Sequence, residues 1–419
     1  MKKSEKQPFT VQENKVSKLE KYLLDNYNFR YNEVLKETEI KPKRSEIEFI
    51  GLDERKLSDI RIELSKVGFN GFKGILDDLL KSSSFAPSFN PFEDYFKNLP
   101  KWQENETDHI AKLCSYLNVK EHGWFIRMFK KHLVRTVACA MRRLDFNKHC
   151  VVFQGKQNDG KTSFIRFLAP PKLKGYYKEN PPLDHKDSVL ALGQNLLINL
   201  DELHDLNKAD ANKVKTLFSQ SDTKIRNHYA IKDTLQPRYA SFFGTINERE
   251  FLNDVTGNVR WLIFEVLGVK HDNGGENGYS KNIDIDLVWS QAYHLLLSGF
   301  EYNLTKDEIQ EVEKMNRIYQ KTTPEIDLIS EYFEPSSSKT PYSFALNATA
   351  IIQAIQTVTN NQIKLGHVQV GKALTFLGFE KESIRLQSQN NPTHRYIVTS
   401  RDLKILDFLS SQYSYLATS

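Results

Sequence analysis

The residues best suited to chemistry lie in one stretch, between His149 and Ile165. Cys150–Phe153 is a short apolar run that favours a β-strand, and Gly155–Thr162 matches the phosphate-binding pattern G-x-x-x-x-G-K-[ST] at every fixed position. The glycines let the backbone turn so that successive N–H groups point at phosphate oxygens, and the following helix contributes its positive amino end. The stretch therefore predicts a strand, a loop and a helix that together bind the phosphates of a nucleotide.

ATP and Mg²⁺ are the ligands that this loop predicts. Lys161 is placed to reach the β- and γ-phosphates, and the Thr162 hydroxyl is placed to bind Mg²⁺. The other predicted nucleotide contacts are the remaining loop residues and the next residue along the chain: Gly155, Lys156, Gln157, Asn158, Asp159, Gly160 and Ser163. An ordinary glycine turn is the alternative, and the strand before the loop and the apolar helix after it argue against that alternative.

An acidic pair ends the next strand-like run. Asn195–Leu200 is largely apolar and is followed by Asp201 and Glu202. This arrangement is the Walker B pattern, in which Asp201 would hold Mg²⁺ through water and Glu202 would orient or polarise the attacking water. Strands often end in a solvated Asp, but the position after the phosphate loop favours catalysis. Asn199 is a polar residue within this largely apolar strand. Asp205 is the next candidate for the catalytic carboxylate.

A third predicted strand, Tyr239–Asn247, is free of charge and ends in a polar residue. At that place Asn247 can contact the γ-phosphate or the attacking water, which predicts a sensor role; a simple strand-end turn is the alternative. Upstream, Lys224–Tyr239 has β-like ends around a polar middle. This stretch predicts a hairpin with Lys232 near its tip.

A candidate arginine follows the third strand. Arg260 enters a last strand after a glycine turn, where its guanidinium could meet a phosphate bound by a neighbouring subunit. The alternative is a structural arginine that pairs with a local carboxylate such as Asp254. Arg238 and Arg249 are the next candidates for the same role.

These motifs, in this order, resemble the virulence-associated protein E family, which is related to the superfamily 3 helicases of phages, plasmids and mobile islands. The resemblance covers about residues 105–300. It rests on Gly155–Thr162, Asp201-Glu202, Lys215, Ser221-Asp222, Arg226, Gly244-Thr245-Ile246-Asn247, Phe251-Leu252, Asp254, Thr256-Gly257-Asn258 and Arg260-Trp261.

The resemblance implies an AAA+-like ATPase that assembles as a ring, usually a hexamer. It also implies that a hairpin before the sensor strand grips single-stranded or forked DNA, which assigns DNA contact to Lys232 and Arg226, and that Arg260 is an arginine finger. The family's usual Thr-Gly-Asn-Arg-Arg has Val259 in place of its first arginine here. Larger relatives carry a primase domain upstream; the first hundred residues are too few for one, so any primase is expected to be a separate partner.

Composition sets broad limits. The chain has 419 residues, a net charge of +5 and 26% charged residues, which is ordinary globular composition with a mildly basic balance. Cys114, Cys139 and Cys150 lack metal-ligand spacing and cannot all pair, which suits a reducing compartment. No apolar run is long enough to span a membrane and no secretory signal opens the chain, so a cytoplasmic protein without a membrane partner is expected.

The predicted fold class is α/β, with a P-loop AAA+-like core. Four domains are expected: a small N-terminal α/β module (1–100), a helical collar (101–147), the ATPase core with its closing helices (148–330) and a winged-helix-like domain (342–419). The helix Trp124–Leu144 carries a basic stripe, for which a solvated face is the favoured interpretation and packing on the core is the alternative. The glycine-rich stretch Gly268–Asn282 is expected to be an exposed insertion.

The tail predicts helix, helix and hairpin, the order found in a winged helix. Five of its residues could meet DNA phosphates: Lys372, Lys381, Arg385, His394 and Arg395. Winged modules also serve protein contacts, so both roles stay open.

Together these features predict an ATP-dependent DNA helicase or translocase for replication of a mobile element or phage. One alternative is a nucleotide-gated initiator or defence switch that binds DNA and hydrolyses ATP without unwinding. A small-molecule kinase on the same loop is the second alternative; it should lack the sensor asparagine, the finger arginine and a winged module.

Overall fold

The computed structural model describes residues 14–182, 185–203, 208–221, 223–225, 234–252, 258–337, 340–360, 362–384 and 393–416. The chain divides into two compact units, one formed by residues 1–247 and 260–308 and the other by residues 248–259 and 309–419. Both contain sheets and helices, so the predicted mixed α/β class is observed. Among the described residues, no helix combines the length and apolar character needed to cross a bilayer.

The N-terminal part of the first unit is a small sheet with helices against it. Its elements are α1 (Lys15–Asn26), β1 (Tyr27–Asn32), β2 (Glu37–Pro42), β3 (Ile50–Gly51), α2 (Glu54–Lys66), α3 (Lys73–Lys81), β4 (Ser88–Phe89) and α4 (Pro91–Lys97). The sheet has the order β3-β2-β1-β4, and α1 to α3 bury an apolar face against it. Asn32 donates a hydrogen bond to the Tyr176 hydroxyl at 2.7 Å, which links this small sheet to the rest of the unit.

The larger part of the first unit is built on six strands. Its elements are α5 (His109–Cys114), β5 (Leu117–Val119), α6 (His122–Ala140), β6 (Cys150–Gln154), α7 (Lys161–Phe167), β7 (Tyr177–Glu179), α8 (His185–Gln194), β8 (Leu197–Leu200), α9 (Lys208–Ser219), β9 (Thr223–Ile225), β10 (Thr234–Gln236), β11 (Ser241–Ile246), β12 (Trp261–Val269), α10 (Tyr279–Asn282), α11 (Ile285–Leu297) and the start of α12 (Lys306–Asn316).

The six-stranded sheet has the order β5-β12-β6-β11-β8-β7. All neighbouring pairs are parallel except β5 with β12, so the five parallel strands follow the spatial order fifth, first, fourth, third, second along the chain. The strands β6, β8 and β11 are buried along their whole length, as expected for a parallel sheet covered on both faces. Because the strands are parallel, the residues that follow β6, β8 and β11 meet at one edge of the sheet.

Helix α6 covers one face of this sheet and corrects one sequence prediction. Phe125 and Phe129 pack edge-on or stacked against rings of β6, β11 and β12. The predicted solvated basic face is wrong for three of its residues, since Lys131, His132 and Arg135 are buried. Lys131 forms a 2.8 Å ion pair with Glu308, so distant polar residues of the same unit compensate for its desolvation.

The second unit contains the C-terminal elements. They are α13 (Pro324–Tyr332), β13 (Phe333–Pro335), β14 (Phe344–Leu346), α14 (Ala348–Val358), α15 (His367–Phe376), β15 (Lys381–Ile384), β16 (Thr393–Ser400) and α16 (Leu403–Gln412). Strand β16 pairs antiparallel with β13, β14 and β15, and α13 to α16 contribute to one apolar core. The predicted sequence of two helices and a hairpin is therefore observed. Leu252 also pairs with Gln320 in this unit, through an isolated bridge.

Candidate nucleotide site

The loop between β6 and α7 has its shape because two glycines are required in it. A Cβ atom at Gly155 would lie 2.4 Å from the backbone oxygen of Val266, so only glycine lets β12 approach this closely. Gly160 has φ +82°, a left-handed conformation that glycine adopts without strain. The fixed positions of the sequence pattern thus follow from close packing and backbone geometry at two particular residues.

Lys161 lies at the centre of the site and is almost fully buried, with an exposure of 5%. Its ammonium donates to the backbone oxygen of Gly155 at 2.9 Å, to that of Lys156, and to Asn247 Oδ1 at 3.2 Å. Burial lowers the pKa of Lys161, and the carboxylates of Asp159 and Asp201 partly offset this effect. The loop therefore holds a cation in a site with few water neighbours, where an anion would bind it strongly.

The acidic pair follows β8 and meets the loop directly. Asp201 Oδ1 accepts hydrogen bonds from the hydroxyls of Thr162, at 2.9 Å, and of Thr245. Glu202 has φ +55°, an uncommon left-handed conformation for a non-glycine residue, and its N–H lies 3.4 Å from the Thr245 hydroxyl that accepts its hydrogen bond. Strained backbone of this kind occurs often at functional sites.

Most of the predicted site residues, together with Thr245, line one polar cleft of about 330 Å³. Its lining residues are Gln157, Asn158, Asp159, Gly160, Lys161, Thr162, Ser163, Asp201, Glu202, Thr245 and Asn247. Gly155 and Lys156 contribute the carbonyls that hold the Lys161 ammonium. The loop, the acidic pair and the strand-end asparagine are therefore brought together as the sequence predicts.

Among the described residues, the predicted Arg260 lies away from this cleft. Arg260 lies at the opposite end of the sheet, since Trp261 pairs with Cys150 at the amino end of β6. It is half-buried and its guanidinium donates to Ser219 Oγ at 3.3 Å. Arg226 and Lys232 lie outside the described residues, as does Asp254.

Arg238, a fallback candidate for the arginine finger, cannot have that role. Its side chain is buried and donates to five backbone carbonyls, those of Asn147, Leu217, Phe218, Gln220 and Ala240. Burial lowers the pKa of Arg238 to about 10. Because all three of its nitrogens donate to carbonyls inside its own unit, this buried guanidinium is not available to another subunit.

Two residues of the site were not predicted. Thr245 lies two positions before Asn247. Because side chains alternate along a strand, residues two positions apart lie on the same side, so the position of Asn247 could have predicted Thr245. His271 follows β12, and a Cβ atom at Gly160 would lie 2.9 Å from its Cδ2. No local pattern indicates this contact, and the stretch that contains it was expected to be an exposed insertion.

An α/β sheet with a phosphate-type loop, an acidic pair and a strand-end asparagine at one edge is the arrangement that the sequence motifs predict. The virulence-associated protein E-like domain model matches residues 97–321, more than half of the chain. The chain therefore belongs to the virulence-associated protein E-like domain family, which confirms the resemblance found in the sequence.

Solved structures with similar shapes include the apo C-terminal region of NrS-1, with 12% identity, coverage of 93% of this chain and 100% of that chain, and a TM-score of 0.48. Another is the SCCmec type IV Cch described as an active helicase, with 12% identity, coverage of 92% and 94%, and a TM-score of 0.36. The JCV helicase also matches, with 12% identity, coverage of 67% and 78%, and a TM-score of 0.29. No curated protein matches the chain significantly. Since these TM-scores are low, the family assignment rests on the sequence match.

Proposed function

We propose that this chain is an ATP-driven DNA motor of the helicase type that serves replication of a mobile genetic element or phage. One observation carries the proposal: Lys161, Asp201 and Asn247, from three separate segments, converge on one polar cleft. Phosphate positioning, metal binding and sensing of the terminal phosphate need these three groups at one place.

The residues present fit Mg²⁺ and a triphosphate. The Thr162 hydroxyl and Asp201 Oδ1 already lie 2.9 Å apart, which is the pair that holds this metal in nucleotide hydrolases of this type. Hydroxyl and carboxylate oxygens are the ligands that Mg²⁺ prefers, and the bound ion would neutralise charge that develops on the phosphates. Lys161 would exchange the carbonyls of Gly155 and Lys156 for phosphate oxygens.

The remaining roles belong to the chain's own side chains. Glu202 would accept a hydrogen bond from the attacking water and orient it toward the terminal phosphate. Because Asn247 Oδ1 accepts from Lys161, its amide nitrogen is the group that can donate to that phosphate. The backbone N–H groups from Gln157 to Ser163 would bind the other phosphate oxygens.

The proposed motor has an AAA+-like core and acts on DNA as a ring. The strand order of the sheet supports an AAA+-like core, and such a core would work as a ring, with a homo-hexamer as the expected assembly. Single-stranded or forked DNA would contact Lys232 and Arg226 on the predicted hairpin, and a separate primase would supply primers. The helices α14 and α15 with the hairpin β15–β16 support a winged-helix module, whose exposed Lys372 and Lys381 would contact duplex phosphates.

The test is ATP hydrolysis as a function of protein concentration, with and without single-stranded DNA, followed by strand displacement on a forked duplex. Lys161→Ala should lose hydrolysis, and Glu202→Gln should bind ATP but hydrolyse it at least about a hundredfold more slowly. Glu104→Gln, at an exposed position, is the matched control. DNA-stimulated hydrolysis without strand displacement would favour an initiator or switch, and normal turnover in Glu202→Gln would place the catalytic carboxylate elsewhere.

A further inference from the structure

The segment after β12 is a defined structure that lies on the phosphate loop. Lys270 donates its N–H to the Tyr116 oxygen at 2.8 Å, and Tyr279 donates back to the Lys270 oxygen, which closes the segment at its base. Two tight turns fill it, with hydrogen bonds from Gly274 to the His271 oxygen at 3.0 Å and from Gly275 to the Asp272 oxygen at 2.7 Å. We call residues 270–279 the β12 loop.

Two contacts attach the β12 loop to the phosphate-binding segment. The buried ring of Tyr279 packs at 5.3 Å from Phe164 and at 4.9 Å from Phe167, both in α7. At the amino end of the same helix, the ring of His271 occupies the space that a side chain at Gly160 would need. The β12 loop therefore contacts the phosphate loop at the amino end of α7 and packs on the helix itself further along.

The strand order determines whether His271 would lie near the phosphates or near the nucleoside of a bound nucleotide. Asp201, Glu202 and Asn247 follow β8 and β11, which lie on one side of β6, whereas β12 lies on the other side. On the proposed function, the terminal phosphate lies toward the acidic pair. The nucleoside at the other end of the triphosphate must then lie toward β12, the side from which His271 comes.

The orientation of the His271 ring suits a nucleoside. Its Nδ1 accepts a hydrogen bond from the Asn273 N–H at 3.0 Å, so in the neutral ring Nε2 carries the proton and is a donor. The side chain is half-buried, with part of it open to solvent. An aromatic ring held in this way, with a donor at Nε2, can stack on a base or donate to the ribose or the base edge.

We propose that His271 contacts the nucleoside of the bound nucleotide and supplies base-dependent affinity to the site. This inference rests on the proposed function and deepens it, because it separates recognition of the nucleoside from recognition of the phosphates. Stacking on an aromatic ring changes affinity by about fivefold to over a hundredfold per base. A loss of about tenfold in ATP affinity is therefore expected when the ring is removed.

The experiment compares two ligands on the full chain: MgATP, and Mg²⁺ with inorganic tripolyphosphate, which has the phosphates but no nucleoside. Titration calorimetry should show His271→Ala weakening MgATP binding about tenfold and tripolyphosphate binding less than about twofold. His271→Phe, which keeps an aromatic ring against Gly160, should retain most of the ATP affinity. Asn277→Ala, an exposed neutral residue of the same loop, is the matched control.

Equal losses for both ligands in His271→Ala would overturn the inference, because the ring would then only shape the phosphate loop. Unchanged ATP affinity would overturn it as well. Retained tripolyphosphate binding shows that the variant is folded, and His271→Phe gives a second reading if His271→Ala is unstable. A wild-type chain that binds neither ligand would contradict the proposed function itself, an outcome distinct from the first two.

Discussion

Asn247 is held in one orientation by the lysine beside it. Its Oδ1 accepts from the Lys161 ammonium at 3.2 Å, and its backbone oxygen accepts from the Gln154 amide at 3.3 Å. Asn247→Asp should keep the contact with Lys161 but replace the amide donor with a negative charge facing the phosphates. We expect turnover to fall by roughly a hundredfold or more, since removal of one transition-state donor has this effect.

The measurement for Asn247 is steady-state ATP hydrolysis with MgATP binding measured in parallel. Asn247→Ala, which removes the donor without adding charge, should bind ATP more tightly than Asn247→Asp while remaining slow. Equal turnover in wild type and Asn247→Ala would reduce Asn247 to a strand-end turn residue, the alternative that its sequence position leaves open.

At Glu202 we expect stability and function to conflict at a single residue. Its φ of +55° places it in the left-handed region, which asparagine tolerates better than glutamate. Glu202→Asn should therefore raise the free energy of unfolding by about 0.5–1 kcal/mol while nearly abolishing ATP hydrolysis. Urea unfolding and an ATPase assay on the same preparation test both parts. A destabilised Glu202→Asn would show that the backbone conformation is not strained.

How far each site residue could be predicted depends on how local its signal is. Gly155, Lys161 and Thr162 lie within eight consecutive positions that form one sequence pattern, and Asp201 follows a largely apolar strand. Thr245 was missed although the alternation of β11 places it beside Asn247. The contact of His271 with Gly160 could not be predicted because it depends on β12 lying next to β6.

At the scale of elements, Arg238 links the end of helix α9 to the paired strands β9 and β10. Its guanidinium holds three carbonyls at the end of α9, from 2.8 to 2.9 Å, immediately before β9, while the residue itself follows β10. Arg238→Met would leave these buried acceptors and the Asn147 oxygen without this donor. We expect a loss of about 3–5 kcal/mol in the free energy of unfolding.

Urea unfolding of Arg238→Met tests this expectation, with the exposed Arg143→Met as a control that should stay within about 0.5 kcal/mol of wild type. Arg238→Lys keeps the charge but offers fewer donors in a different geometry, so it should lie between the two. A loss in Arg238→Met no larger than that of the control would show that the carbonyls find other donors.

Helix α6 carries a buried histidine that should make the protein sensitive to acid. Burial lowers the pKa of His132 to about 3, with Arg135 adding to this effect, and burial also holds the pKa of His149 well below its usual range. In the unfolded chain both rings protonate near pH 6.5. The unfolded state therefore binds more protons between about pH 3 and 6.5, and stability must fall as the pH falls through that window.

Each histidine should contribute a loss of about 2 kcal/mol between pH 6.5 and 5. His132→Phe keeps a ring that can pack edge-on against Phe243, as the imidazole does at 4.8 Å, and removes one titrating group. The fall in unfolding free energy over this window should then be about half as large as in wild type. The exposed His394→Gln is the control, and an unchanged slope in His132→Phe would contradict the assigned pKa.

The burial of Lys131 and Arg135 shows why element-level prediction from the sequence was incomplete. A basic stripe on a helix is usually solvated, and the stripe of α6 was interpreted in that way. The partner of Lys131 is Glu308, 177 positions away, and a backbone oxygen of Asn303 accepts a second bond. Such pairings depend on which helices pack together, whereas the α/β class follows from local patterns of apolar residues.

At the scale of the whole molecule, the position of Arg260 decides whether the proposed motor needs a ring. Trp261 pairs with Cys150 at the amino end of β6, whereas the phosphate loop begins after Gln154 at the carboxyl end. Four strand steps of about 3.3 Å separate the two ends, or roughly 13 Å. Arg260 therefore lies at the far end of the sheet from the phosphate loop of its own chain, and a catalytic contact would have to be made with a neighbouring subunit.

We therefore expect Arg260→Ala to bind ATP almost normally and to hydrolyse it about a thousandfold more slowly, the effect of losing an arginine supplied in trans. Mixing Arg260→Ala with Lys161→Ala subunits should restore part of the activity. In a ring with head-to-tail contacts, about a quarter of the interfaces would then join an intact loop to an intact arginine. Mixing Arg260→Ala with the Lys161→Ala/Arg260→Ala double variant is the matched control, because no such interface can form. If both single variants fold and assemble together but the mixture stays inactive, Arg260 has a local structural role. Arg249 should then be tested in the same way, since Arg238 is buried and bonded within its own unit.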